Sequence, residues 1–335
     1  MNRIRQRPRI LVAMTPRRRR GFLPDDLFSR LSELALHILE YNPYENGSPW
    51  LEELDTYRPD FLLSGWETPP LPLSLPPELR YVCHFGGGVR NLIPRELIER
   101  GLIVTNWGSS ASRTVAEGTL TLTLCTLRRF TEYTIGMHVE RGWPVTDASV
   151  SLLGRRVGIH GFGNVARAFV RLARGFGCSI RSYDPFVDDA VFKEFEVERC
   201  DSLEELFSTS QVILEMAALT PQTRQSVTGE LLRMLPPDGA FINTGRAGTV
   251  DTGALLKVAQ EGRLQIGLDV YDEEPTPAEN PFRGLKNVTL LPHVAGPTPD
   301  RFRDCGEVGM RNLENFILGN PLEALVTLDV YDRIT

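Results

Sequence analysis

The stretch Val157-Gly158-Ile159-His160-Gly161-Phe162-Gly163-Asn164-Val165-Ala166 decides how this chain is read. A β-branched apolar run enters it, Gly-x-Gly-x-x-Ala forms its middle, and a helix-period segment with Ala166, Phe169, Val170 and Ala173 on one face leaves it. Each residue type answers a physical need. Gly161 allows a tight turn, Gly163 removes a Cβ so that the backbone can approach a pyrophosphate, and Ala166 lets the helix pack close to the strand. The unpaired N–H groups and positive end of that helix would receive the phosphates. The next predicted strand, Ile180–Tyr183, runs into Asp184, placed to accept hydrogen bonds from adenosine ribose hydroxyls. A carboxylate there repels a 2′-phosphate, so the expected cofactor is NAD rather than NADP. His160 lies on the strand and reads as a packed core histidine.

Outward from this motif, short β-branched runs alternate with helix-period segments along almost the whole chain. That argues for an α/β architecture with parallel sheets. Predicted strands before the motif are Ile10–Ala13, Phe61–Gly65, Tyr81–Cys83 and Ile103–Thr105. Those from the motif onward are Arg156–Ile159, Ile180–Tyr183, Val212–Leu214, Ala240–Ile242, Ile266–Val270 and Val288–Leu291. Helices are expected at Asp25–Leu36, Pro94–Arg100, Thr114–Arg128 and Asp304–Leu318, and Ser202 with Glu205 forms a capping box opening Leu203–Phe207. The basic run Arg17–Arg20 reads as a solvated loop after the first strand. The expected fold is two Rossmann- or flavodoxin-like domains with parallel sheets and a cleft between them. Residues 1–110 and 304–335 would form a discontinuous substrate-binding domain, and 111–303 an NAD-binding Rossmann domain.

Composition bounds the function. The 335 residues are 41% apolar and 24% charged, enough for two buried cores and too balanced for a disordered or collagen-like chain. Lys plus Arg is 37 against 43 Asp plus Glu, and a net charge of −6 argues against nucleic-acid partners. No run approaches the roughly 18 apolar residues of a membrane span, and Ile10–Met14 is too short for a signal-peptide core. Five scattered cysteines without a Cys-x-x-Cys read as reduced thiols of a cytoplasmic protein, and no metal-ligand cluster is seen.

Three more predicted strands end in polar residues: Asn243-Thr244-Gly245-Arg246, then Asp269-Val270-Tyr271-Asp272-Glu273-Glu274, and Pro292-His293. Carboxyl ends of strands line the ligand crevice of a doubly wound sheet. A cation, a carboxylate and an imidazole delivered there suit hydride transfer involving a hydroxy acid. The arginine anchors a carboxylate, the histidine exchanges the hydroxyl proton, and the acid orients the histidine.

These motifs, with Val115-Ala116-Glu117 and Leu219-Thr220-Pro221-Gln222-Thr223-Arg224, make the chain resemble the D-isomer-specific 2-hydroxyacid dehydrogenase family over nearly its whole length. The resemblance implies an NAD-dependent oxidoreductase acting on the CH–OH group of a small 2-hydroxy acid. It implies Arg246, Glu274 and His293 as the catalytic set. It puts Asn164 and Val165 at the pyrophosphate turn, Thr244, Gly245 and Asp269 beside the nicotinamide and its ribose, and Ala217 and Ala218 on the adenine side. Gly87 and Gly88 would hold the substrate carboxylate together with Arg246. The helix from Thr114 resembles the family's dimer helix, so a homodimer is expected.

The chain departs from the family pattern at Val89-Arg90, where an aromatic and an aspartate are usual, and at Glu215-Met216-Ala217, where a histidine-containing segment is frequent. Arg90 has two readings, a second anion contact or a surface residue. His84 reads as core packing rather than catalysis. Trp66, His84, Arg90 and Trp107 are the candidates for setting substrate size. Glu274 argues against formate oxidation, for which the related enzyme carries a glutamine. The rival reading from another class is a non-catalytic NAD(H)-sensing binding protein of the same fold.

Overall fold

The computed structural model describes residues 7–45, 49–145 and 147–333. The chain divides into two compact units, Met1–Ala111 with Thr298–Thr335, and Ser112–Pro297. Both are α/β with parallel sheets, as the alternating sequence pattern implies.

The first unit carries β1 (Arg9–Ala13), β2 (His37–Tyr41), β3 (Phe61–Ser64), β4 (Tyr81–His84) and β5 (Ile103–Thr105), in the order β2-β1-β3-β4-β5. Ile10–Ala13, Phe61–Leu63 and Tyr81–Cys83 are buried without alternation, as expected when both faces of a sheet are covered. The edge strand β2 escapes the sequence reading because His37 and Glu40 are exposed and break the apolar run. The basic run is not the loop expected from its charge. It lies in the helix Pro16–Phe22, where Pro16 takes the first turn and the Thr15 hydroxyl accepts from the Arg18 N–H. Arg19 and Arg20 fall in the last turn, where the helix dipole favours cations.

The helix Phe302–Leu318, ended by Gly319 in a left-handed conformation, packs on Pro16–Phe22. Phe302 stacks on Phe22 at 4.6 Å, and at Gly306 a Cβ would lie 1.7 Å from the Phe22 carbonyl oxygen.

The second unit carries β6 (Arg156–His160), β7 (Ser179–Tyr183), β8 (Glu198–Arg199), β9 (Val212–Glu215), β10 (Ala240–Asn243), β11 (Gln265–Leu268) and β12 (Val288–Leu290). Their order is β12-β11-β10-β9-β6-β7-β8. From β6 the chain winds outward through β7 to β8, then returns to the other side of β6 and winds through β9 to β12. The reversal falls between β6 and β9, the place where open parallel sheets bind ligands at their carboxyl ends. The short, exposed β8 was not expected from the sequence. The same holds for the helix Phe130–Thr134 and the π-helical turn Ile135–Val139 that follows it. Ser202 caps its helix by accepting from the Glu205 N–H at 3.1 Å. The Glu205 carboxylate reaches back to the Asp201 N–H at 2.8 Å, one residue before the cap, and the helix runs on to Thr209.

Gly306 tests the helix packing of the first unit. Gly306→Ala forces its Cβ into the Phe22 backbone, which cannot swing aside as a side chain would. It should destabilise the protein by about 1–3 kcal/mol, read as a lowered denaturation midpoint.

Candidate active site

The turn after β6 takes its shape from Gly161, at φ +85°, where a Cβ would lie 2.8 Å from the Ala217 Cα. The helix Asn164–Ala173 then starts with no side chain capping it, and a Cβ on Gly163 would meet nothing within 4 Å. Asn164 is exposed, Val165 half-buried and Ala166 buried against the sheet. Asp184 accepts from the Phe162 N–H at 2.8 Å through Oδ2 and from the Phe186 N–H at 2.9 Å through Oδ1, so the carboxylate is tied to the glycine turn.

Beyond β9, the Ala217 N–H donates to Glu215 Oε1 at 3.0 Å, and the Ala218 carbonyl accepts from Thr223 Oγ1 at 2.6 Å. Beyond β10, Thr244 Oγ1 lies 2.9 Å from Thr119 Oγ1. A Cβ on Gly245 would press on the carbonyl oxygens of Glu215 and Ala217 at 3.1 and 3.2 Å. An uncapped helix end, open space above Gly163 and a carboxylate at the end of β7 fit a dinucleotide.

Further along the same edge, Glu274 Oε2 accepts from His293 Nδ1 at 2.6 Å, while Glu274 Oε1 accepts from the Tyr271 N–H at 2.9 Å. His293 has φ +53°, a left-handed conformation that costs a residue with a Cβ about 1–2 kcal/mol. The buried Asp269 carboxylate holds it there by accepting from the Val294 and Ala295 N–H groups at 2.7 and 3.0 Å. Burial pushes the Asp269 carboxyl up, against those two amides, which favour the ionised form. The half-buried Arg246 guanidinium is held below its ordinary range by desolvation, with the Glu274 charge opposing that shift. Its Nη1 donates to the Gly245 carbonyl at 2.7 Å. Arg246, Glu274 and His293 are thus brought into one electrostatic neighbourhood.

In the first unit, β4 ends at His84, whose Nδ1 is hydrogen-bonded to Ser64 Oγ at 3.0 Å. Its Nε2 faces Gly86, where a Cβ would lie at 2.2 Å. A side chain at 86 would therefore press on the buried His84 ring. Burial pushes the imidazole down to about 4. Gly87 lies against the Trp107 indole, which meets the half-exposed Trp66 edge-on at 5.5 Å. Arg90, read from sequence as a second anion contact or a surface residue, has a structural partner in the C-terminal segment. Nε donates to the Tyr331 carbonyl at 3.0 Å and Nη2 to the Asp332 carbonyl at 2.5 Å, clamping the helix Leu328–Arg333.

Sequence reasoning did not foresee the loop-holding role of Asp269 or the buried carboxylate of Glu215. The one signal for the latter is an acid closing the apolar run Val212–Leu214. Among the described residues no group of His, Cys, Asp and Glu could hold a metal ion, and no helix is long and apolar enough to cross a membrane.

A glycine turn into an open helix end, a carboxylate closing the next strand and a histidine–acid pair on the same sheet edge define the dinucleotide-binding half of an α/β oxidoreductase. Residues 120–295 match the D-isomer specific 2-hydroxyacid dehydrogenase, NAD binding domain. The chain is 35% identical over 266 residues to the glyoxylate reductase of Thermococcus kodakarensis, which covers 76% of this chain and 78% of that one. It is 29% identical over 252 residues to the D-3-phosphoglycerate dehydrogenase of Methanocaldococcus jannaschii, covering 75% of this chain but only 48% of that longer protein. It also resembles the crystal structure of an NADPH-dependent glyoxylate/hydroxypyruvate reductase from Sinorhizobium meliloti in complex with NADP and malonate. There the TM-score is 0.75 and the identity 26%, over 98% of this chain and 99% of that one. The chain belongs to the D-isomer-specific 2-hydroxyacid dehydrogenase family, oxidoreductases that act on CH–OH groups.

His84 supplies a test of the first unit. Its ordinary value is 6.5, so between about 6.5 and 4 the unfolded chain takes up the proton that the folded chain refuses. Stability is lost as pH falls through that window, by up to roughly 3 kcal/mol from this group. His84→Asn should flatten that part of the acid limb in denaturant titrations run at several pH values.

Proposed function

We propose that this protein is an NAD-dependent D-2-hydroxyacid dehydrogenase, or 2-oxoacid reductase, with Arg246, Glu274 and His293 as its catalytic set. The observation that carries this reading is the 2.6 Å bond between Glu274 and His293 Nδ1. It fixes the ring and leaves Nε2 as the nitrogen that gives a proton to the carbonyl oxygen, or takes one from the hydroxyl. Arg246, a planar cation with a fixed fork of donors, would bind the substrate carboxylate and polarise the carbonyl. Desolvation strengthens that interaction. In the first unit, the Gly87 and Gly88 N–H groups are proposed to hold a substrate carboxylate.

A bound nicotinamide dinucleotide supplies or accepts the hydride at C2 of the acid. Gly161, Gly163, Asn164 and Val165 would receive its pyrophosphate, and Asp184 its adenosine ribose. Ala217 and Ala218 would lie on the adenine side, and Thr244, Gly245 and Asp269 beside the nicotinamide. The Asp184 charge opposes a 2′-phosphate and supports NAD over NADP. A small 2-oxo acid such as glyoxylate or hydroxypyruvate is the proposed substrate class, in line with the names of the relatives.

A homodimer is proposed as the working assembly. Phe130, Met137, Val139, Trp143 and Val145 follow the helix Ser112–Leu127 and leave apolar side chains exposed, Trp143 by 81%. These exposed apolar side chains are the surface proposed to be covered by the second copy. Sedimentation velocity should give a dimer, and a monomer at micromolar concentration would contradict the assignment.

The catalytic reading is tested by following NADH and NADPH absorbance with glyoxylate, hydroxypyruvate, pyruvate and bulkier 2-oxo acids. Turnover with NADH is expected, and His293→Ala should lower kcat by on the order of 10³-fold while leaving the Kd for NADH within about twofold. NADH binding without turnover of any acid would leave a sensor, not an enzyme.

A further inference from the structure

The dinucleotide edge holds a charged pair that the proposed reaction does not use. His160 is the last residue of β6 and Glu215 the last of β9, and the strand register sets them opposite each other. They are 3% and 0% exposed, and His160 Nδ1 donates to Glu215 Oε2 at 2.7 Å. Apolar residues of similar volume often stabilise a core as well as a buried ion pair does, so stability alone does not account for this one.

Its connections do. Glu215 Oε1 accepts from the Ala217 N–H at 3.0 Å, and the Glu215 carbonyl accepts from the Thr244 N–H at 3.4 Å. The His160 carbonyl accepts from the Met216 N–H at 3.0 Å, and the residue after His160 is Gly161, where a Cβ would lie 2.8 Å from the Ala217 Cα. The side chains of the pair thus bond to each other and to the Ala217 amide, while the main chain of the same two residues bonds to Met216 and Thr244, so the pair sits where the three turns proposed above to hold the coenzyme meet: Gly161–Val165, Ala217–Ala218 and Thr244–Gly245.

We infer that His160 and Glu215 are a proton-dependent positioning pair for the coenzyme, holding these turns together and neutralising the Glu215 carboxylate while His160 keeps its proton. The inference rests on the dinucleotide reading of the second unit. The charged groups acting on the imidazole are Glu215 from β9 and Asp184 beyond β7. The Tyr183 ring of β7 lies 6.0 Å from it, centroid to centroid. Burial by itself pushes His160 down, but the Glu215 charge and hydrogen bond, with a contribution from Asp184, outweigh it and hold the group above its ordinary 6.5. As pH rises through that raised value the proton leaves. The cation facing the Glu215 and Asp184 carboxylates is then lost beside the turn proposed to take an anionic pyrophosphate, and coenzyme affinity falls on the alkaline side.

The test is the Kd for NADH, read by fluorescence titration from about pH 6 to about pH 10. The wild-type protein should bind on the order of tenfold more weakly at the alkaline end. The double variant His160→Leu/Glu215→Leu, its fold checked by circular dichroism, should bind NADH about fivefold more weakly at neutral pH and lose the alkaline rise. A flat wild-type profile overturns the inference without any variant. A double variant with the wild-type Kd, or with the wild-type alkaline rise, overturns it as well. Absence of NADH and NADPH binding at every pH would instead remove the dinucleotide reading, and this inference with it.

Discussion

Parallel strands hydrogen-bonded side by side must all end on the same edge of their sheet, and every strand pairing in both sheets of this protein is parallel. In the seven-stranded sheet this constraint gathers residues that lie far apart in the chain. Gly161 follows β6, Asp184 follows β7, Thr244 follows β10, Asp269 follows β11, and His293 comes shortly after β12. The reversal of winding between β6 and β9 opens space for a ligand at the centre of that edge. Chemistry is thus a consequence of topology before it is a matter of individual side chains.

The same edge carries an energetic problem, because the strand ends are buried and the chemistry is polar. An unpaired buried charge costs several kcal/mol, and the structure meets that cost by giving each acid two partners. Glu215 has His160 and the Ala217 amide, and Asp269 has the amides of Val294 and Ala295. The less buried Glu274 likewise has His293 and the Tyr271 amide. In every case at least one partner is a backbone N–H, from the acid's own loop for Glu215 and Glu274 and from the loop after β12 for Asp269. Satisfying the acids and fixing the loops are one event, so the left-handed backbone of His293 can be held without a glycine.

Much of this was legible in the sequence, and the rest was hidden for definite reasons. Buried strands such as Ile10–Ala13 and Val212–Leu214 declare themselves because a sheet covered on both faces demands uninterrupted apolar residues. The glycine turn is legible because only glycine serves at Gly161. The edge strand His37–Tyr41 is not, since one exposed side lets charged residues interrupt the pattern. Arg17–Arg20 reads as a loop by charge, and only the Thr15 cap and Pro16 disclose a helix. Partnerships across long separations, such as His160 with Glu215 or Arg90 with the carbonyls of Tyr331 and Asp332, leave no periodic trace. Glu215 stands out in sequence as a departure, yet nothing in the chain says which residue answers its charge.

In the proposed reaction hydride passes directly between the coenzyme and C2 of the acid while His293 handles the proton on the attached oxygen. The most direct measurement is the fate of the label when NADH carrying deuterium in its transferable C4 position is mixed with the enzyme and hydroxypyruvate. The expected product is a 2-hydroxy acid of D configuration with one deuterium at C2 and none drawn from or lost to solvent. An L product, or a C2 hydrogen derived from water, would contradict the proposed reaction.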